Sequence, residues 1–281
     1  MAGPNDGIAN IVDLERYPIH VLDSAQGQQF LVDCQAHMTE HGWLNLDGFV
    51  REGAIRMLGD EVDALLAGAE KVSIRRNIYG AKVEDTKSKS DLARHELSYH
   101  ALYLADDQIP DSARVKQLYC SDTVTDFVRR VLRKETLYRY GDEFQALNII
   151  ALPPGNGHAW HYDHNECAVT LLLQAAGQGG EFFFIPNSRD RNGNNEKTEI
   201  IRQFLAGDRS CAKTIGRGAG AFTLFRGEFA VHGVTEVEGT MPRISAVLTY
   251  DEKEGRTASD DVNIRIYGPR VERILAERGT A

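Results

Sequence analysis

The sequence lacks several features that would place it in well-defined protein classes. No apolar run approaches the roughly 18 residues a membrane-spanning helix needs, and the N-terminal stretch shows no basic-then-apolar signal pattern. These absences argue against a membrane partner and lead to the expectation of a cytoplasmic protein. Basic charge is also short, with 32 Lys and Arg against 41 Asp and Glu and a net charge of −9. Backbone phosphates demand a basic surface, so nucleic acid is not an expected partner, although a local basic pocket is compatible with this balance. Cysteine is sparse: Cys34, Cys120, Cys167 and Cys211 are scattered, with no Cys-x-x-Cys pair. They read as reduced thiols, and Cys167 as a buried structural one. No internal repeat is visible.

At 281 residues the chain is long enough to bury a sizeable core as one large domain or two small ones. Met1 to about Asn10 reads as a loose tail. Asp23-Ser24 is placed to cap a helix running to about His41, with Phe30, Leu31, Cys34 and Met38 at helical spacing. Gly42 to Val50 reads as a short strand and turn before a second amphipathic helix from about Arg51 to Ala69. From Val72 to about Pro110 periodicity blurs, leaving a polar connection that is either a lid over a site or a solvated surface loop. A helix follows over 124–134. After Thr136 the pattern turns to short apolar runs separated by glycine-rich turns, broken once by a helix at 196–205, which indicates a sandwich or jelly roll. A closing helix is expected from Pro269. We therefore expect a mainly β, α+β architecture in a single domain over 1–281. Residues 1–135 would be mainly helical with a possible lid at 72–110, 136–250 the β core, and 251–281 a C-terminal strand and helix.

The chemistry concentrates in His158-Ala-Trp-His-Tyr-Asp-His-Asn-Glu166. His161 and Asp163 share one face if that segment is extended. With His232 far downstream they form two histidines and a carboxylate, the facial triad of non-haem Fe(II) oxygenases. Arg243 and Ser245 share a face of a later apolar strand and suit a two-point grip on the far carboxylate of a dicarboxylic acid. Asn148 and Thr170 lie on apolar strands, where a polar group needs a partner. Each either faces the cavity, where it can donate to a carboxylate of the bound acid, or is satisfied in the core. Candidate substrate contacts are His158, Trp160, Glu166, Arg75 and Arg76. By parity, His158 should face away from His161. Asp142, Glu143 and Arg226 are further charged candidates. Gly216-Arg-Gly-Ala-Gly220 lacks a following helix with Lys-Ser/Thr, so it reads as a tight turn and not a phosphate loop.

Beyond these residues, the stretches Leu137-Tyr-Arg-Tyr, Gln145-Ala-Leu-Asn, Trp160-His-Tyr-Asp, Gly179-Gly-Glu-Phe-Phe-Phe-Ile-Pro-Asn and Val231-His-Gly-Val-Thr-Glu-Val-Glu-Gly resemble the Fe(II)/2-oxoglutarate-dependent oxygenases. The likeness is to the branch holding amino-acid halogenases and their hydroxylase relatives, and it runs from about Arg16 to about Tyr250. It implies a double-stranded β-helix (a cupin-like jelly roll) buttressed by N-terminal helices. It also implies Fe(II), 2-oxoglutarate and O2 as cofactor and cosubstrates, and a small-molecule substrate such as a free amino acid. A homodimer is compatible with this reading. The halogenases of the branch carry a small residue where this chain has Asp163, so hydroxylation is the implied outcome. The same chemistry on a nucleotide, a silent jelly-roll binding protein and a redox-inert metal hydrolase remain competing readings.

Overall fold

The computed structural model describes residues 7–85, 90–190 and 193–279. Ile8 is buried in a turn of 3-10 helix, so the expected loose tail is packed from there on. Helix α1 (Ala25–His41) starts where Ser24 Oγ accepts the Gly27 N–H, and ends at Gly42 in the left-handed region. Strand β1 (Trp43–Leu46) leads into α2 (Glu52–Leu66). The segment expected as a polar connection instead forms two paired strands, β2 (Glu70–Arg76) and β3 (Leu97–Leu104), with the short α3 (Asp91–Arg94) between them. Any lid role is thereby confined to about 77–96, of which 86–89 lie outside the described residues.

Helices α4 (Arg114–Cys120) and α5 (Asp122–Val131) precede β4 (Tyr138–Arg139), β5 (Leu147–Leu152), β6 (His158–His161), β7 (Ala168–Gln174), β8 (Gln178–Gly179) and β9 (Phe182–Phe184). After α6 (Thr198–Leu205) come β10 (Lys213–Ile215), β11 (Phe222–Phe225), β12 (His232–Val234), β13 (Val237–Glu238), β14 (Arg243–Leu248) and β15 (Tyr250–Asp251). Two helices close the described chain, α7 (Asp260–Tyr267) and α8 (Pro269–Gly279).

The strands build the two main antiparallel sheets of a jelly roll, with β8 and β13, and β4 and β15, forming two further short pairs. One has seven strands in the order β1-β11-β7-β14-β5-β3-β2, the other four in the order β10-β9-β12-β6. Strand alternation decides what each face meets. Leu147, Ile149 and Ala151 of β5, Val169, Leu171 and Leu173 of β7, and Ile244, Ala246 and Leu248 of β14 are buried in one cluster with Met38, Leu58, Val62, Phe127 and Val128 from the helices. The intervening residues Asn148, Ile150, Thr170, Arg243, Ser245 and Val247 line a cavity on the opposite face. Helix α7 adds Ile266 and Tyr267 to its wall. Its Tyr267 hydroxyl donates to the Phe144 carbonyl at 2.9 Å and to Asn148 Oδ1, while Asn263 bridges Gln145 and Asp142 at 2.6 and 3.0 Å. Among the described residues no helix is long and apolar enough to cross a membrane.

Candidate metal centre

Strands β6 and β12 pair with His161 directly opposite His232, and the two imidazole rings lie 4.3 Å apart between centroids. Both rings are fixed by their own strands. His161 Nδ1–H donates to the Ala159 carbonyl at 2.7 Å, and His232 Nδ1–H to the Ala230 carbonyl at 2.9 Å. A carbonyl can only accept, so each Nδ1 carries the proton and each Nε2 presents a lone pair. Burial, with His232 and Arg76 adding to it, pushes the His161 imidazole down to about 4, which keeps it neutral at physiological pH.

Asp163 lies past the end of β6. Its backbone N–H donates to the Gly227 carbonyl at 3.1 Å, and its carboxylate faces both histidines. Oδ1 is 3.4 Å from His161 Nε2 and Oδ2 is 3.5 Å from His232 Nε2, and Oδ2 is buried without a hydrogen-bond partner. Three potential ligand atoms within 4.8 Å of one another, all offering lone pairs, repel in a low dielectric. A divalent cation converts that repulsion into coordination. The donor set suits Fe(II) of the two-histidine, one-carboxylate kind.

Sequence reasoning missed Gly227, because a lone glycine after an apolar strand reads as an ordinary turn. A Cβ there would sit 1.8 Å from Asp163 Oδ2 and 2.9 Å from His232 Cε1. Gly227→Ala is therefore expected to displace the carboxylate and weaken metal binding by about 10–100-fold, as loss of a supporting group around a metal does. Calorimetric titration with Mn(II) checks this, and an unchanged affinity would show that Asp163 has room to yield.

On the same cavity face, Arg243 is 6% exposed and donates from Nη1 to Ser245 Oγ at 2.6 Å. Burial pushes its guanidinium down to about 10, still cationic at neutral pH. Thr170 accepts from Arg217 Nη1 at 3.2 Å, and Asn148 lines the cavity while accepting from Tyr267. The turn holding Arg217 hid a guanidinium that enters the cavity.

Among the substrate candidates, His158 and Arg76 line the cavity. Parity predicted the wrong face for His158. His232 and Val234, two apart on β12, face His161 and His158, three apart on β6. The extra residue is a β-bulge that turns His158 to the cavity, its ring 4.7 Å from that of His161. Its Nε2 lies 2.9 Å from the Tyr99 hydroxyl. Arg76 sits 5.6 Å over the Tyr99 ring, and its Nε is buried without a partner.

The remaining candidates point elsewhere. Arg75, next along the pleat from Arg76, is exposed and paired with Glu96 at 2.8 Å. Trp160 packs edge-on against Phe204 of α6 at 4.6 Å, outside the cavity lining. Glu166 pairs with Lys134 at 2.9 Å. Asp142 is held by Asn263 and by backbone N–H groups, Glu143 pairs with Arg278, and Arg226 lies outside the lining.

Comparison with known proteins places these features in context. The family model of halogenase D matches residues 26–267. No curated protein sequence matches the chain. Several solved structures are similar at the level of fold. An oxidoreductase of the 2OG-Fe(II) oxygenase family from Burkholderia pseudomallei is 17% identical, covering 80% of this chain and 92% of that one at a TM-score of 0.51. The non-haem α-ketoglutarate-dependent epimerase SnoN from nogalamycin biosynthesis is 17% identical, with 80% and 82% covered and a TM-score of 0.55. A prolyl hydroxylase from Trichoplax adhaerens is 14% identical, with 82% and 93% covered and a TM-score of 0.52.

Proposed function

The chain belongs to the halogenase D family of Fe(II)/2-oxoglutarate-dependent oxygenases, and from that premise we propose that it hydroxylates an aliphatic C–H bond of a small acidic or neutral metabolite, an amino acid or a derivative of one. Bound Fe(II) supplies the oxidative chemistry, in which O2 and 2-oxoglutarate are consumed and succinate and CO2 are released. His161, Asp163 and His232 would hold the metal, with both imidazoles already locked in the ligating tautomer. Arg243 and Ser245 would orient the far carboxylate of 2-oxoglutarate. Phe182, Phe225 and Ile150, also in the lining, keep water from the reacting centre.

The observation that carries hydroxylation over halogenation is the Asp163 carboxylate between the two histidines. With His161, Asp163 and His232 all holding the metal beside a two-point cosubstrate, one of six coordination positions would remain for O2, and a bound halide would require another. Turnover in excess chloride or bromide should give a product that has gained one oxygen, seen by mass spectrometry. A chlorinated or brominated product from the wild type would overturn the assignment.

The substrate class rests on the lining. Asp163 is the one carboxylate among the described residues around the cavity, and it is committed to the metal site. Arg76, with its unpartnered Nε, and His158 offer a grip for an anionic group. A cationic side chain such as that of lysine meets no counter-charge and would leave its hydration uncompensated. In a panel of amino acids followed by nucleotides, scored by substrate-stimulated succinate release, acidic and neutral amino acids should stimulate and basic ones should not. Preferential stimulation by lysine or ornithine would reject this class.

A further inference from the structure

We propose that Arg217 is a second cosubstrate-binding residue, which closes with Arg243 a two-guanidinium clamp on the distal carboxylate of 2-oxoglutarate. The proposal rests on the oxygenase reading above and goes beyond its single-arginine grip.

Arg217 reaches the cavity from outside the strands. It sits on the turn between β10 and β11, a turn held at both sides, since Asn45 Nδ2 donates to the Gly216 carbonyl at 3.3 Å and the Gly218 N–H donates to Asp47 Oδ1 at 3.1 Å. From there the side chain crosses to β7 and β9. Its Nη1 donates to Thr170 Oγ1 at 3.2 Å, and its guanidinium lies 4.6 Å over the Phe182 ring. That ring covers one face of the cation, and the residue lines the cavity.

The arrangement repeats the one made by Arg243. Each guanidinium donates to a hydroxyl, Arg243 to Ser245 and Arg217 to Thr170. The two hydroxyls are diagonal neighbours on one sheet face, because Thr170 of β7 pairs with Val247 and Ser245 lies two residues along β14. With one lone pair engaged by the arginine, each hydroxyl has a proton to donate to an anion between them. Among the described residues neither guanidinium has a carboxylate partner. Two like charges sharing one low-dielectric cavity repel; burial and the Arg243 charge both lower the Arg217 pKa. A bound carboxylate accepting from both forks removes that repulsion and explains why the fold tolerates the pair.

The clamp predicts selectivity for keto acids with a distal carboxylate. Anaerobic calorimetry on the Mn(II)-loaded protein, titrated with 2-oxoglutarate and with 2-oxobutyrate, reads binding without turnover. Wild type should prefer 2-oxoglutarate strongly. Arg217→Met should lower 2-oxoglutarate affinity on the order of 10–100-fold, leave 2-oxobutyrate nearly unchanged, and retain Mn(II) affinity as the sign of an intact fold. Arg217→Lys keeps the charge without the fork and should fall in between, which serves if the methionine variant fails to fold. Wild-type 2-oxoglutarate affinity in a folded Arg217 variant would overturn the clamp while leaving the oxygenase reading intact, as would a defect confined to the prime substrate. A wild-type protein that binds Mn(II) but not 2-oxoglutarate would overturn both.

Discussion

Replacing His161 or His232 by alanine is expected to abolish metal binding and reduce succinate formation by at least about 10³-fold. A catalytic metal contributes several kcal/mol at the transition state, and each 1.36 kcal/mol is a factor of ten in rate. The expectation for stability differs. In the metal-free protein the two Nε2 lone pairs face the Asp163 oxygens at 3.4 and 3.5 Å, an arrangement of acceptor against acceptor. Truncating one ring removes part of that repulsion, so the metal-free variants should unfold no earlier than the metal-free wild type. What they lose is the rise in melting temperature on adding Mn(II), which follows from ligand binding to the native state alone. Thermal denaturation with and without Mn(II), beside metal titration and turnover, separates these effects. Wild-type metal uptake and turnover in either variant would remove that histidine from the site.

The second large effect is expected at Arg243. Arg243→Ala and Arg243→Lys should raise the 2-oxoglutarate requirement by about 10–100-fold, the equivalent of a buried charge-assisted hydrogen bond of ~1.5–3 kcal/mol. Lysine keeps the charge but cannot reproduce a planar fork, and from β14 it cannot hold the same contact with Ser245 Oγ. The requirement for prime substrate should change far less. Initial rates measured against each compound in turn decide it, and an unchanged 2-oxoglutarate requirement in both variants would place the carboxylate elsewhere.

Much of the β core was legible because β5, β7 and β14 alternate cleanly between helix-facing apolar residues and cavity-facing ones. Even there the parity rule failed at β6, where one extra residue returns His158 to the side of His161. Nothing in His-Ala-Trp-His distinguishes a bulged strand from a regular one. His161 and Asp163 do converge, but not as neighbours on one strand face: Asp163 is past the strand end, held from across by Gly227. Strands β2 and β3 were obscured because β2 is the sheet edge and turns the charged Arg76 inward, where a periodicity reading expects an apolar residue. Helix α7 was obscured for the opposite reason. Val262-Asn-Ile-Arg-Ile-Tyr267 alternates like a strand, yet Asp260 and Asp261 in the first turn favour a helix and Asn263 and Tyr267 dock it. Arg217 was hidden by its glycines, which describe the turn and not where the side chain goes.

The way α7 is fastened bears on the order in which the protein matures. Tyr267 and Asn263 tie it to residues 142–148 through directional polar contacts, Ile264, Ile266 and Tyr267 pack on an apolar cluster with Tyr103 and Phe144, and the helix supplies Ile266 and Tyr267 to the cavity wall. Neither sheet draws a strand from it. The metal-facing residues and Arg243 all belong to or adjoin the strands, so α7 adds to the wall of a site whose ligands are placed by the sheets. Because this wall is C-terminal to every strand it seals, closing the cavity to retain small ligands is expected to follow formation of the barrel as its final step.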